Sequence, residues 1–547
     1  MLRNVAFLIL LQPAALLAAA PSVSQFFPAG AEVGQTIEVA AIGKFSWPLK
    51  AWSSSPHVAV VPQEAPGLLE VRVASAAAPG IVWVRLYNDE GVSAMRAFVV
   101  GTLPEMQEKE PNGSLTEAQE VGDPITINAR LRAAGDVDTY SVELQEGETL
   151  VASLEAHQHL DSPMDGLLQI VGIRGNVIAQ NDDYNETDPQ IVFRAPQSAK
   201  YFVRAFGFPA KPNSTIGFAG GDLYVYRLTL TRGGFVDHLY PLAIPRNLGG
   251  SVEVRGWNIP DEFRELTLLP PADSKSLVVR HSSLANTFPV RLVEQPVAVE
   301  IEPNGVGNPV SITVPVTLNG IINPARDRDV YLFKAAKDQS FRFDVDARMI
   351  GSPISCLLRV IDSSGKEVAK AVEFRGKADP DLNFKAPAEG EYTLEVRDAF
   401  DHGGSRYVYS VHATSPPPEY RLTLPGAGQN FTLTPGKELE IPVEVERQFG
   451  FDREIEVAIV GLPASVVAPP VRSAPKGDTA GKVALKLTSK EGPFAGTIQI
   501  VGKEVGPAAE LQMATFSTQG WNEPSSMVWL TVLAPPKPEE KKEAEKK

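Results

Sequence analysis

Glu108 and Glu110 stand two residues apart ahead of Pro111 and Asn112, and the same spelling returns at Glu300, Glu302, Pro303 and Asn304. Proline biases the residue before it towards an extended backbone, so both carboxylates of each pair can project to one side. Asn112 and Asn304 add an amide oxygen. Downstream, Asp136 and Asp138 repeat the i,i+2 spacing at the start of an alternating segment, as do Asp327 and Asp329 in the second copy. Calcium takes six to eight hard oxygens at about 2.3–2.6 Å from carboxylates and carbonyls. Four carboxylates and an amide nearly fill such a shell if the linker folds back on the strand. The competing reading is a set of turn and edge acids kept polar for solubility, and residue types alone leave both open.

Other chemistry finds little support, and no catalytic activity is expected. The chain has no Gly-x-Ser-x-Gly, His-Glu-x-x-His or phosphate-binding glycine loop. His157 and His159 would share a face on a strand and could hold zinc, but a third ligand is not evident, so an exposed strand end is the favoured reading. One cysteine excludes an intrachain disulfide and any Cys-based zinc or iron–sulfur site. Cys356 lies in the apolar stretch 354–360 and reads as a buried packing residue. Trp52, Trp257 and Trp521 read as core or rim residues rather than sugar-stacking platforms. A formal net charge of −15 repels nucleic acid and anionic lipid and favours cations.

The elements that must position the acidic pairs come in two copies. Besides the acidic motifs, Ser162-Pro163 matches Ser352-Pro353, Asp188-Pro189 matches Asp379-Pro380, and Phe193 to Pro196 matches Phe384 to Pro387. Tyr201 matches Tyr392, and Gly220-Gly221 through Tyr226 matches Gly403-Gly404 through Tyr409. The offsets drift from 192 to 183 in constant order, which marks a duplication. A weaker echo lies upstream, where Phe27-Pro28 parallels Tyr240-Pro241. Periodicity is two throughout: Tyr224, Tyr226, Leu228 and Leu230 face one way and Val225, Arg227, Thr229 and Thr231 the other, a half-buried strand.

The fold class expected is all-β, with tandem β-sandwich or jelly-roll domains alternating with Ig-like sandwiches. The layout is a signal segment at 1–20, an Ig-like unit at 21–104 and a jelly roll at 105–234. A small Ig-like module at 235–296, a second jelly roll at 297–416 and a C-terminal Ig-like unit at 417–534 follow, and the charged tail 535–547 is expected to be disordered. Arg3, the apolar run from Val5 to Leu17 and Ala18 to Ala20 support export. Elsewhere no apolar run is long enough to span a bilayer.

Glu-x-Glu-Pro-Asn, Gly135 to Tyr140, Ser162 to Asp165 with Asn181 to Asp183, and Gly220 to Leu228 together resemble the bacterial pre-peptidase C-terminal domain. That family is similar to the collagen-binding domains of clostridial collagenases. The whole arrangement is similar to secreted multi-module proteins of planctomycetes and related bacteria. The resemblance implies a secreted β-sandwich with calcium at the linker–domain junction. The implied ligands are Glu108, Glu110, Asn112, Asp136 and Asp138, then Glu300, Glu302, Asn304, Asp327 and Asp329. Gly113 and Gly305 depart from the relatives, which carry an acid or amide there. Ser355 replaces Asp165, and residues 371–373 replace the acidic cluster 181–183, so that cluster is specific to the first copy and reads as a polar loop or, less favoured, a second ion contact. Collagen binding does not carry over. The function expected is a secreted, non-enzymatic binding protein for an extracellular protein or polysaccharide. The alternatives are a structural envelope protein or an accessory of a secreted peptidase. The expected location is secreted, periplasmic or cell-surface.

Overall fold

The computed structural model describes residues 19–211, 217–271, 276–372, 379–426, 430–506, 511–517 and 524–535. Most of the expected signal segment, nearly all of the charged tail, Trp521 and Glu373 lie outside the described residues. The described chain is a tandem of β-sandwiches. Its helical pieces are single turns at His157–Leu160, Asp261–Phe263 and Arg348–Ile350.

The first acidic motif belongs to a sandwich of two five-stranded sheets. One sheet runs Glu105–Gln107, Ile125–Arg130, Val225–Thr231, Thr149–Glu155, Gln190–Arg194; the other runs Gln119–Glu120, Asp138–Leu144, Ala199–Pro209, Met164–Val171, Val177–Asn181. Residues 297–414 repeat this order strand for strand, from Val297–Val299 to Asp381–Lys385 in one sheet and Val310–Ser311 to Glu367–Val372 in the other. Alternation builds the cores. Ser340–Asp346 buries Phe341, Phe343 and Val345, which pack with Phe333, Phe384 and Cys356. Leu150, Ala152 and Leu154 of Thr149–Glu155 fill the equivalent space in the first copy.

Two sheets at 22–101 precede the first copy, two three-stranded sheets at 235–293 separate the copies, and two larger sheets at 419–532 follow. These units are pressed together. Val225–Thr231 is buried on both faces, with Tyr226 and Leu228 inside the sandwich and Arg227 6% exposed on the other side. That corrects the half-buried reading. Alternation reports the sandwich core, but the outer face is covered by the preceding unit, where a Cβ on Gly30 would lie 2.8 Å from Arg227 Nε. Arg227 pairs there with Glu105 and Glu155.

A second joint gathers three units on Asp237. Tyr184 Oη and Arg406 Nε donate to its carboxylate at 2.6 and 2.8 Å, and His238 Nδ1 lies 2.8 Å away. A third joint brings the first and last units together. Trp529 is 1% exposed, against Tyr87 with ring centroids 4.9 Å apart and Trp52 at 6.4 Å. Arg85, 1% exposed, sits over the Trp529 ring and donates to Asn430 Oδ1. Trp52 and Trp257 are therefore joint residues, Trp257 packing on Phe235 and Tyr184.

Candidate metal centres at two sheet crossovers

The strand Glu105–Gln107 pairs in parallel with Ile125–Arg130 in one sheet, and Gln119–Glu120 pairs in parallel with Asp138–Leu144 in the other. The chain must therefore cross between the sheets from 108 to 118, and Glu108 to Asn112 lies on that crossing. The second copy crosses in the same way between Val297–Val299 and Val310–Ser311. Backbone bonds fix both crossings. Glu108 N–H donates to Asn128 O at 3.0 Å and Thr139 N–H to Asn112 O at 3.0 Å. The counterparts are Glu300 to Asn319 at 2.9 Å and Val330 to Asn304 at 2.9 Å. The Glu110–Pro111 and Glu302–Pro303 peptides are both cis.

The loop before each strand is held by the recurring glycine pair. A Cβ on Gly220 would meet Ala133 O at 2.0 Å, and one on Gly403 would meet Pro324 O at 2.6 Å. Gly221 and Gly404 have φ of 154° and 152°, a region L-residues avoid. With the chain so packed, Asp136 Oδ2 accepts from Arg132 N–H at 2.6 Å, and Asp327 Oδ2 accepts from Asn323 N–H at 2.9 Å.

Carboxylate oxygens of Glu110, Asp136 and Asp138 lie within 4.8 Å of one another, as do those of Glu300, Glu302 and Asp329. Two oxygens bound to one calcium at about 2.4 Å can be no more than about 4.8 Å apart. Glu108 stands beside the first trio and faces Arg132 at 3.5 Å, while Asp327 is held by its own loop.

The deepest members are incompletely satisfied. Asp138 and Asp329 are 0% exposed. Each accepts a tyrosine hydroxyl on Oδ2, from Tyr226 at 2.5 Å and Tyr409 at 2.6 Å, and those hydroxyls touch Tyr140 and Tyr331 at 2.8 Å. Apart from the neighbouring carboxyl groups of Glu108 and Glu300, their Oδ1 atoms have no hydrogen-bond partner among the described residues, and the side-chain atoms of fully buried Asn112 and Asn304 have none. Leaving a buried polar atom unsatisfied costs about 1–3 kcal/mol, and more when it is charged. Burial, then the charge of Glu108, pushes the Asp138 carboxyl far above the carboxylate range, and burial and Glu300 do the same to Asp329. Burial likewise raises Glu108 and Glu300. A cation at this point would neutralise carboxyl groups that burial and mutual repulsion disfavour as anions, so the residues fit a hard metal ion.

Residues 136–207 match the bacterial pre-peptidase C-terminal domain. The matched stretch includes Asp136 and Asp138 but not the crossing Glu108–Asn112, the closing strand Val225–Thr231 or the second copy. A probable subtilase-type serine protease of Deinococcus radiodurans is 33% identical over 132 residues, which are 22% of this chain and 18% of that protease. The chain thus spans under a fifth of that relative. The pre-peptidase C-terminal domain of a Bacillus anthracis collagenase is 16% identical and covers 23% of this chain and 100% of its own, with a TM-score of 0.17. Sidekick-1 immunoglobulin domains 1–4 are 9% identical over 92% of this chain and 99% of theirs, with a TM-score of 0.19.

Other sequence candidates have different surroundings. His157 and His159 are on a helical turn, not a strand. His157 Nδ1 meets Ser162 O at 2.9 Å and His159 Nδ1 pairs with Glu155, so they do not converge on one ligand position. The turn forms because Asp188 accepts the N–H groups of Ala156, His157 and Gln158 at 2.8–3.2 Å. Asp165 feels burial, then Asp183 and Asp182, but no metal-sized group forms there among the described residues. Arg132, Tyr226 and Tyr409 were missed as site residues. The tyrosines recur in the duplication, which was the available signal; Arg132 has no counterpart and gave none. No described helix is long and apolar enough to cross a membrane.

Proposed function

We propose that this protein is a secreted, non-enzymatic scaffold whose β-sandwich surfaces engage an extracellular protein or polysaccharide, with calcium stiffening the two crossovers. The observation that carries the calcium reading is the pairing of a metal-sized carboxylate group with buried, unsatisfied oxygens, made twice by one duplicated architecture. Glu108, Glu110, Asn112, Asp136 and Asp138 would hold the first ion. Glu300, Glu302, Asn304, Asp327 and Asp329 would hold the second. The second copy is read as another pre-peptidase C-terminal domain on its identical strand order, and the remaining sandwiches as Ig-like units.

The protein's own residues do the mechanical work. The crossing segment is tied to one sheet through Asn128 or Asn319 and to the other through Thr139 or Val330. An ion bridging crossing and strand would lock that segment, and with it the preceding unit. The test is the melting curve of the full chain in excess calcium and in chelator. Saturation at 100 times the dissociation constant adds about 2.7 kcal/mol, a rise of several degrees. Coincident curves would sink the calcium reading.

A second reading, an accessory to a secreted peptidase, is favoured by the match to part of a subtilase-type protease. It predicts co-purification with a peptidase from the native secreted fraction; purification without one counts against it.

A further inference from the structure

The two crossovers are alike in backbone and differ in one charge. At the first, Arg132 Nε lies 3.5 Å from Glu108 Oε1 and 3.6 Å from Glu110 Oε1. Its own N–H donates to Asp136. At the second, the residue whose N–H makes the matching bond to Asp327 is Asn323, which carries no charge. No Lys, Arg or His nitrogen among the described residues lies within ion-pair distance of Glu300, Glu302, Asp327 or Asp329. What approaches instead is neutral: the Tyr240 phenol, donating to Asn319 O at 3.2 Å and raised by burial and then by Glu300.

The second site is also shaped more closely around its acid. Glu300 Oε1 accepts from Ile321 N–H at 2.8 Å. A Cβ on Gly320 would stand 2.6 Å from Glu300 Oε2 and 2.2 Å from Tyr409 Oη, so the missing side chain leaves that space to the carboxylate. Ala129 occupies the same register in the first copy, opposite Tyr226 as Gly320 is opposite Tyr409.

We propose that the two sites bind a divalent cation unequally: the Asn323 site is the tight one, and at the other Arg132 is an internal counter-cation that the metal must displace. The proposal rests on the calcium reading above and adds an order of filling to it. Asn304, 0% exposed with an unpartnered side chain, and Asp329, 0% exposed and pressed against the Glu300 carboxyl group, give the second site its unmet demand for a cation. Arg132, with 47% of its side chain exposed, can swing into water when a metal arrives, but the first site then loses a guanidinium as it gains an ion. Like charges held together in one site oppose each other, so the net gain is smaller. At intermediate calcium the second crossing would be locked by metal while the first has only the Arg132 guanidinium as its counter-charge.

The experiment is calorimetric titration of the calcium-free full chain with calcium chloride, for the native protein, Arg132→Asn and Asn323→Arg. The expected native result is two classes of site differing at least tenfold, or about 1.4 kcal/mol. Arg132→Asn should tighten the weaker class by a similar factor and leave the other alone. Asn323→Arg should weaken only the tighter class. Melting of each variant in chelator controls for folding, and the reciprocal variants check each other. Two equal sites indifferent to both substitutions would overturn the unequal filling while leaving calcium binding intact. No binding to any of the three proteins would overturn both.

Discussion

Asp138 and Asp329 hold their protons more tightly in the folded protein than in the unfolded chain, because burial disfavours the charged form. The stability linked to that proton is full below the ordinary carboxylate range, about pH 4, and is lost as pH rises through the folded value. In chelator, the melting temperature should therefore fall from about pH 4 upwards. The double variant Asp138→Asn/Asp329→Asn should flatten that slope and melt higher than native protein at neutral pH, yet gain nothing from calcium. Calorimetric melting across pH checks both. A native profile with the opposite slope would mean other groups dominate. At this scale the sequence was informative about acids and silent about their partners. The i,i+2 pairs were visible, but the hydroxyl of Tyr226 reaches Asp138 across 88 residues, a contact set by sheet order rather than by local spacing.

The single-turn helix at His157–Leu160 shows how an element can mislead when read by alternation alone. Its sequence suits a strand end, but the Asp188 carboxylate, arriving from the loop before Gln190–Arg194, collects three N–H groups and winds the chain. Asp379 does the same for Ala347 and Arg348 at 2.8 and 2.9 Å. The Asp-Pro repeat was visible as an anchor; its capping role needs the fold. Asp188→Ala should cost about 1–2 kcal/mol, the usual loss for a cap, seen as a lower urea midpoint with unchanged calcium affinity. Strands were far more legible than this turn. The alternating segment from Tyr224 to Thr231 falls on the strand Val225–Thr231, because a buried face imposes period two directly on the chain.

Joints between units define the whole molecule, and no sequence pattern announced them. Arg85 interrupts the apolar run 81–87 and is buried against Asn430, 345 residues away. Burial without a carboxylate partner lowers its pKa to about 10. Trp529→Ala would empty the space against Tyr87 and Trp52, costing about 3–5 kcal/mol as large-to-small core changes do. The expected readout is a larger radius in solution scattering and faster amide exchange in Gly80–Asn88, with the melting of the two crossover sandwiches unchanged. An unaltered radius would show that other contacts hold the ends together.

That same joint places the two ends of the described chain side by side. Ala20 lies against Gly91, and Gly91–Val92 neighbours the strand Val528–Val532. Tension applied across residues 20 and 532 would run first through this short path and not along the row of sandwiches. Held by those two points, the body would hang as a pendant, adding bulk and surface with little reach, and the crossovers would bear load only after Trp529 has been pulled free.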